Sequence, residues 1–230
     1  PKPAIEEKIM ESLNKLQGAY CLVIMTEDKM IGVRDPHGFR PLCLGKLNDG
    51  WVIASESCAL DTVGAELIRD VRPGEMVVIT ESGVSSYDFA PNDPKALCVF
   101  EYIYFARPDS IIDGQSVHRA RLEMGKQLAL ESGYQADIVI SVPDSGTTAA
   151  VGFSCESGIP FAEGLTKNRY IGRTFIQPEQ KKRDLGVRIK LNAVKSVIEG
   201  KSVIMVDDSI VRGTTSGKIV RMLKEAGAKA

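Results

Sequence analysis

The sequence predicts an α/β protein in two parts, a β-rich antiparallel region over residues 1–97 and a parallel-sheet region over residues 98–230. Three observations carry this. Short apolar runs divided by Pro, Gly, Asn and Asp clusters fill the first part. Strands alternate with helices in the second, the grammar of βαβ units. Two of those later strands end in Gly-, Ser- and Thr-rich turns that open helices, and ligands of parallel sheets sit beyond the carboxyl ends of strands.

Residues 5–16 space Ile5, Ile9, Leu13 and Leu16 three or four apart, which predicts an amphipathic helix. Strands are expected at 19–25, 41–47, 51–54 and 76–80, with turns at 35–38, 48–50, 72–74 and 91–94. The polar stretch 81–95, with Pro91-Asn92-Asp93-Pro94, reads as a linker. Beyond it the order is a helix at about 116–132, a strand at 137–142, a turn and helix at 144–157 and a short strand near 159–165. A strand at 202–206, a turn at 207–213 and a helix at 214–226 close the chain.

The 230 residues suffice for a sizeable core, and 43% are hydrophobic. No apolar run reaches the roughly 18 residues of a membrane span, and no signal-like start is present, so a cytoplasmic protein without a membrane is expected. With 29 Lys+Arg against 30 Asp+Glu the net charge is −1, which argues against a nucleic-acid partner unless charge is concentrated locally. Five cysteines (Cys21, Cys43, Cys58, Cys98 and Cys155) form no C-x-x-C pair, so reduced buried thiols are expected rather than a disulfide framework. The chain opens at Pro1 and stops just past Ala226-Gly227-Ala228, which reads as a fragment. His37 and His118 stand alone and read as packed or surface histidines, and Trp51 as a core residue.

The strongest motif is Val203-Ile-Met-Val-Asp207-Asp208-Ser209-Ile210-Val211-Arg212-Gly213-Thr214-Thr215-Ser216. A turn of this kind aims backbone N–H groups at one point on a helix axis, where the dipole favours an anion. Gly213 permits close approach, and Thr214, Thr215 and Ser216 add hydroxyl donors. The carboxylates cannot share that anion; sugar hydroxyls or Mg²⁺ are their natural partners. A phosphate beside a diol describes a ribose 5-phosphate. A solvated turn with a Ser/Thr cap is the bland alternative, but two acids directly after a buried strand are costly without a ligand. A P-loop fails at Gly213–Lys218: the glycine spacing is one residue short, and Ile219 stands where a metal-binding hydroxyl belongs.

A second turn, Pro143-Asp144-Ser145-Gly146 followed by Thr147 and Thr148, suits a pyrophosphate or its metal when set on the same sheet. A third stretch, 167–190, carries eight basic residues against two acidic ones, a local +6 that leaves −7 for the rest. A solvated loop or an RNA-binding patch would also fit that composition. Its position between the two turns favours a lid over a polyanion, with Gly172 and Gly186 as flexible points. Lys167, Tyr170 and Arg173 are the expected ligand contacts, arginine being suited to bidentate phosphate binding.

Residues Val203–Ser216 resemble the phosphoribosylpyrophosphate (PRPP) motif of type I phosphoribosyltransferases. The strings Lys167–Pro178 and Glu101–Ser110, with Gly18-Ala19-Tyr20, Arg34–Leu42 and Ala54–Ser57, resemble the glutamine PRPP amidotransferase family along nearly the whole chain. The resemblance implies a type I phosphoribosyltransferase domain, truncated at its C-terminus (98–230), after the β-rich C-terminal part of an Ntn-type glutaminase domain (1–97). It implies transfer of ammonia from glutamine to C1 of PRPP, opening purine biosynthesis. Asp207 and Asp208 would hold the ribose and Mg²⁺, residues 209–215 the 5-phosphate, and Pro143–Gly146 the pyrophosphate, with Ser145 near the metal. Purine nucleotides as feedback inhibitors and a homo-oligomer are implied as well.

Two departures stand beside it. The family's glutaminase uses an N-terminal cysteine as nucleophile, whereas residue 1 is Pro, so a fragment without that active site is expected. Cys98 falls at the first ligand position of the [4Fe–4S] cluster that some members bind, yet cluster-free members carry a cysteine there too. Two rivals remain, a non-catalytic PRPP-sensing regulator and a phosphoribosyltransferase with a nucleobase acceptor. The first would carry a helix-turn-helix before the sheet, the second would lack Lys167–Pro178 and the front β region.

Overall fold

A computed structural model describes residues 4–90, 94–168 and 190–230, which fall into two compact units, Pro1–Val117 and His118–Ala230.

The first unit is built from alternation. Strands β1 (Cys21–Met25), β2 (Met30–Arg34), β6 (Glu75–Thr80) and β7 (Gly83–Asp88) form an antiparallel sheet in the order β1-β2-β6-β7. Strands β3 (Cys43–Leu47), β4 (Gly50–Ala54) and β5 (Glu66–Asp70) form a second, ordered β4-β3-β5. Successive residues of β6 face opposite ways. Met76 and Val78 pack with Ile9, Met10 and Leu13 of helix α1 (Ile5–Leu13). Val77 and Ile79 pack with Leu44, Trp51 and Ile53 of the other sheet. That sheet turns Cys43, Val52 and Ala54 toward Leu60 of helix α2 (Ser57–Val63). The layers therefore run helix, sheet, sheet, helix. Two glycines let them close: a β-carbon on Gly32 would meet Ile53 Cδ1 at 2.8 Å, and one on Gly45 would meet Leu60 Cδ2 at 2.8 Å.

Two expectations need correction here. The stretch 81–95 is not all linker, because Gly83–Asp88 pairs along the whole of β6, from Glu75↔Asp88 to Thr80↔Gly83. Its polar residues hid it: Ser85, Ser86 and Tyr87 are exposed on an edge strand, and Val84 is its core contact. Strands β2 and β5 and helix α2 also lie outside the predicted set. Residues 98–117 pack with the first unit. Cys98 N–H donates to the Phe39 carbonyl at 3.0 Å, a π-type turn covers Glu101–Phe105, and the hairpin β8 (Ile111–Ile112) and β9 (Gln115–Ser116) follows.

Buried polar contacts hold that segment. Arg34, fully buried, donates to the carbonyls of Gly38, Arg40 and Val71 and forks onto Asp113 at 2.9 and 3.2 Å. Arg40 pairs with Glu101 at 2.6 Å and lies 4.6 Å from the Phe105 ring centroid. Glu56 accepts from Arg107 N–H at 2.8 Å and Ser110 Oγ at 2.7 Å. The motifs Arg34–Leu42, Ala54–Ser57 and Glu101–Ser110, distant in sequence, thus form one network. His37 is a packed residue, its Nδ1 2.9 Å from the Pro94 carbonyl, and His118 is exposed on its helix.

The second unit centres on the parallel strands β10 (Ile138–Ser141) and β13 (Val203–Val206), paired from Ile138↔Val203 to Ser141↔Val206. One face packs Val139 and Val206 with Ala129 of α3 (Val117–Ser132) and Ala150 and Phe153 of α4 (Thr147–Ser157). The other packs Ile138 and Ile140 with Ile219 and Leu223 of the last helix, Thr214–Glu225. Helices cover both faces, which explains the near-continuous apolar runs of these strands. The strand expected near 159–165 divides in two: Phe161 makes a single parallel bridge to Val139, and β11 (Leu165–Lys167) pairs antiparallel with β12 (Leu191–Ala193).

Candidate functional site

The register of β10 and β13 puts the two motif turns side by side. Both strands stop at the same rung, Ser141 opposite Val206, and Val142 N–H donates to the Val206 carbonyl at 2.9 Å. The chain then leaves as Pro143–Gly146 from one strand and Asp207–Gly213 from the other. Gly146 is what lets them touch: a β-carbon there would lie 2.8 Å from the Val206 carbonyl oxygen and 3.1 Å from the Asp207 α-carbon. Gly146 N–H donates to the Val142 carbonyl at 3.1 Å, and the Ser141 and Thr147 hydroxyls lie 3.2 Å apart, which closes the first turn onto its helix.

Asp207 follows a buried Val206 and is itself half-buried, as is Asp208. Burial pushes the Asp207 carboxyl above its ordinary range, and the Asp208 charge adds to that, although the Asp208 N–H, 2.9 Å from Asp207 Oδ1, pulls the other way. A carboxylate so placed gains from a cation or hydroxyl donors. The Ser209 hydroxyl donates to Asp208 Oδ1.

Residues 209–215 are exposed, and Ile210 and Val211 stand out at 73% and 86% exposure. Apolar side chains turned into solvent leave the backbone of this turn as its chemistry. Gly213 sits at φ +69°, the left-handed region that favours glycine, and starts the helix Thr214–Glu225 without a side-chain cap. Ile219 and Leu223 anchor that helix in the core, so its N–H groups at 214–216 are held against a rigid body.

Asp144 lies in the first turn and Lys167 at the end of β11, and their side chains meet at 2.7 Å. Both were expected at the site; a pairing across 23 positions of sequence has no local signal. Tyr170 and Arg173, with most of the basic stretch, lie outside the described residues. Among the predicted residues, the structure sets Gly146 against Asp207, and Asp144 beside Lys167. Asp113 and Glu56, which hold the first unit's motifs, are additions that sequence reasoning did not single out.

The cysteines are all free thiols. Burial pushes Cys21 up to about 11 and Cys43 up to about 12, so neither offers a thiolate. Among the described residues no three His, Cys, Asp or Glu side chains gather into a metal-binding group. Two adjacent carboxylates do suit Mg²⁺, which is held by one or two protein carboxylates with water and substrate oxygens completing its shell. Among the described residues no helix is long and apolar enough to cross a membrane.

A family model described as a glutamine amidotransferase domain matches residues 2–62. The amidophosphoribosyltransferase of Archaeoglobus fulgidus is 56% identical over 221 residues, covering 96% of this chain and 48% of that protein. The Bacillus subtilis amidophosphoribosyltransferase is 56% identical over 224 residues, covering 97% of this chain and 47% of that protein. A solved structure of the B. subtilis glutamine PRPP amidotransferase, complexed with ADP and GMP, superposes with a TM-score of 0.92 at 55% identity, over 99% of this chain and 50% of its own. A second, described as the allosteric regulatory enzyme of purine biosynthesis, also has a TM-score of 0.92 at 55% identity, over 99% of this chain and 49% of its own. The chain spans about half the length of the curated relatives it matches. Along nearly its whole length, in sequence and in fold, this chain resembles the glutamine PRPP amidotransferases, as its motifs implied.

Proposed function

We propose that this chain is part of an amidophosphoribosyltransferase, which transfers ammonia released from glutamine to C1 of PRPP and forms 5-phosphoribosylamine, glutamate and pyrophosphate, the first step of de novo purine biosynthesis. The observation that carries the reading is the common rung at which β10 and β13 end, with Asp207 against Gly146 and the chain from Asp207 running on to an uncapped helix start at Gly213. The sandwich of the first unit is read as part of an Ntn-type glutaminase domain (1–97), and residues 98–230 as part of a type I phosphoribosyltransferase domain.

In this reading the amides and hydroxyls of 213–215 hold the 5-phosphate, and residues 209–212 wrap it. Asp207 and Asp208 accept hydrogen bonds from the ribose hydroxyls, which fixes the sugar relative to the phosphate. Magnesium, held by these carboxylates with Ser145 nearby, would supply charge neutralisation for the diphosphate. Lys167, Tyr170 and Arg173 meet the same diphosphate from the basic stretch. As the C1–O bond lengthens, positive charge grows on the sugar ring and negative charge on the leaving group. Fixed carboxylates on one side and cations on the other stabilise that separation. Positioning and water exclusion supply most of the acceleration.

The proposal extends to a homo-oligomer and to inhibition by purine nucleotides; for the nucleotides, the support is the relative solved in complex with ADP and GMP. Cys98 is kept as a candidate cluster ligand, with no step routed through it. Release of pyrophosphate from PRPP by the intact protein with ammonia, and not with free nucleobases, tests the reading. Release with a nucleobase instead, or no binding of PRPP with Mg²⁺, would overturn it. The β-rich first unit weighs against a DNA-binding PRPP sensor.

A further inference from the structure

We propose that Asp144 is an internal stand-in for the diphosphate: its carboxylate occupies Lys167 until ligand arrives, and binding exchanges one anion for another on the same ammonium. This rests on the reading of the Pro143–Gly146 turn as the diphosphate side of the site.

The 2.7 Å separation is that of a charge-assisted hydrogen bond, and both side chains are half or more exposed, Lys167 at 50% and Asp144 at 78%. An exposed pair of this kind is weak and opens easily. Its ends are nevertheless tied to fixed backbone. Asp144 is two residues from Gly146, which is wedged against Val206 and Asp207. Lys167 ends β11, where it pairs with Leu191, while Leu165 is buried in the core and Gly164 is packed against Ile140. The backbone that carries the ammonium therefore stays within reach of the turn whichever anion the lysine binds. An ammonium is a compact point charge with rotatable donors, so it donates to a phosphate oxygen as readily as to a carboxylate, where a guanidinium fork would demand matched geometry.

The exchange differs from simple repulsion by Asp144. Repulsion alone would be relieved by Asp144→Asn whether or not residue 167 is a lysine. Exchange requires the lysine. The test is a double-mutant cycle in the intact protein, read by calorimetric titration with inorganic pyrophosphate and Mg²⁺ at low and physiological ionic strength. Asp144→Asn should tighten binding about two- to fivefold, the range an exposed ion pair can supply. Lys167→Gln should weaken binding, and adding Asp144→Asn to it should then change nothing.

Equal tightening in both backgrounds would assign the effect to repulsion and overturn the exchange. So would weaker binding, or unchanged binding, in Asp144→Asn alone. If the unmodified protein binds PRPP yet the cycle is additive, only the exchange falls. If it binds neither PRPP nor pyrophosphate, the proposed function falls and takes the exchange with it.

Discussion

Gly146 and Asp207 meet backbone to backbone, with only 3.1 Å between the position of a β-carbon on the first and the α-carbon of the second. Both partners are main chain, so neither can rotate away. Gly146→Ala must therefore part the two turns. The expected cost is about 1–3 kcal/mol of stability, as for other overpacked sites, with a larger loss in PRPP binding because both turns move. Thermal unfolding and calorimetric titration of the same variant check both halves.

Asp207→Asn should do opposite things to stability and to binding. Burial, with the Asp208 charge, raises the Asp207 pKa above its ordinary 3.8, so the folded state holds this proton more tightly than the unfolded one. Stability then falls as pH rises through the window between 3.8 and the raised value, and the full cost is present at neutral pH. A neutral isostere that still accepts from Asp208 N–H removes that cost. The unliganded Tm at pH 7 should rise, while affinity for PRPP with Mg²⁺ falls by about tenfold or more.

Glu75 shows the reverse sign. Burial alone would raise its pKa, but the Arg69 guanidinium, at 2.8 Å to each oxygen, and the Arg72 N–H, at 2.7 Å, outweigh it and bring it from 4.5 to about 2. Its stabilisation, on the order of 3 kcal/mol, is present above pH 4.5 and is lost as pH falls toward 2. Urea unfolding across that range should show the slope, and Glu75→Gln should flatten it.

Arg34→Met should cost about 3–5 kcal/mol, because it strands three carbonyls that the buried guanidinium satisfies, at about 1–3 kcal/mol for each unsatisfied buried group. Three carbonyls and Asp113 lose their donor together. Arg34→Lys keeps the charge but loses the fork, and should fall between the two. Chemical denaturation ranks the three proteins, and protease cleavage within 107–117 should rise in the same order.

Legibility in the sequence followed the range of the forces. Asp207-Asp208 after an apolar strand, and a glycine before a hydroxyl-rich helix start, are local patterns, and they stand where expected. The strand Gly83–Asp88 was missed because an edge strand with one wet face carries little hydrophobic signal. Arg34 and Asp113 are 79 positions apart, as Asp144 and Lys167 are 23, and nothing in either neighbourhood announces the partner. The Arg34–Leu42 and Glu101–Ser110 strings marked the family resemblance, yet their physical task, clasping one segment to another, emerged only once the layers were assembled.

The space between Gly32 and Ile53 carries a last consequence. The three atoms nearest a β-carbon on Gly32 all belong to the Ile53 side chain, and only Cδ1, at 2.8 Å, is too close; Cγ2 follows at 3.5 Å. That gap is one methyl group wide and can be owned from either sheet. Gly32→Ala alone collides, and Ile53→Val alone leaves a hollow, but the two together restore contact. Across diverging sequences, these two positions are bound to drift as a couple.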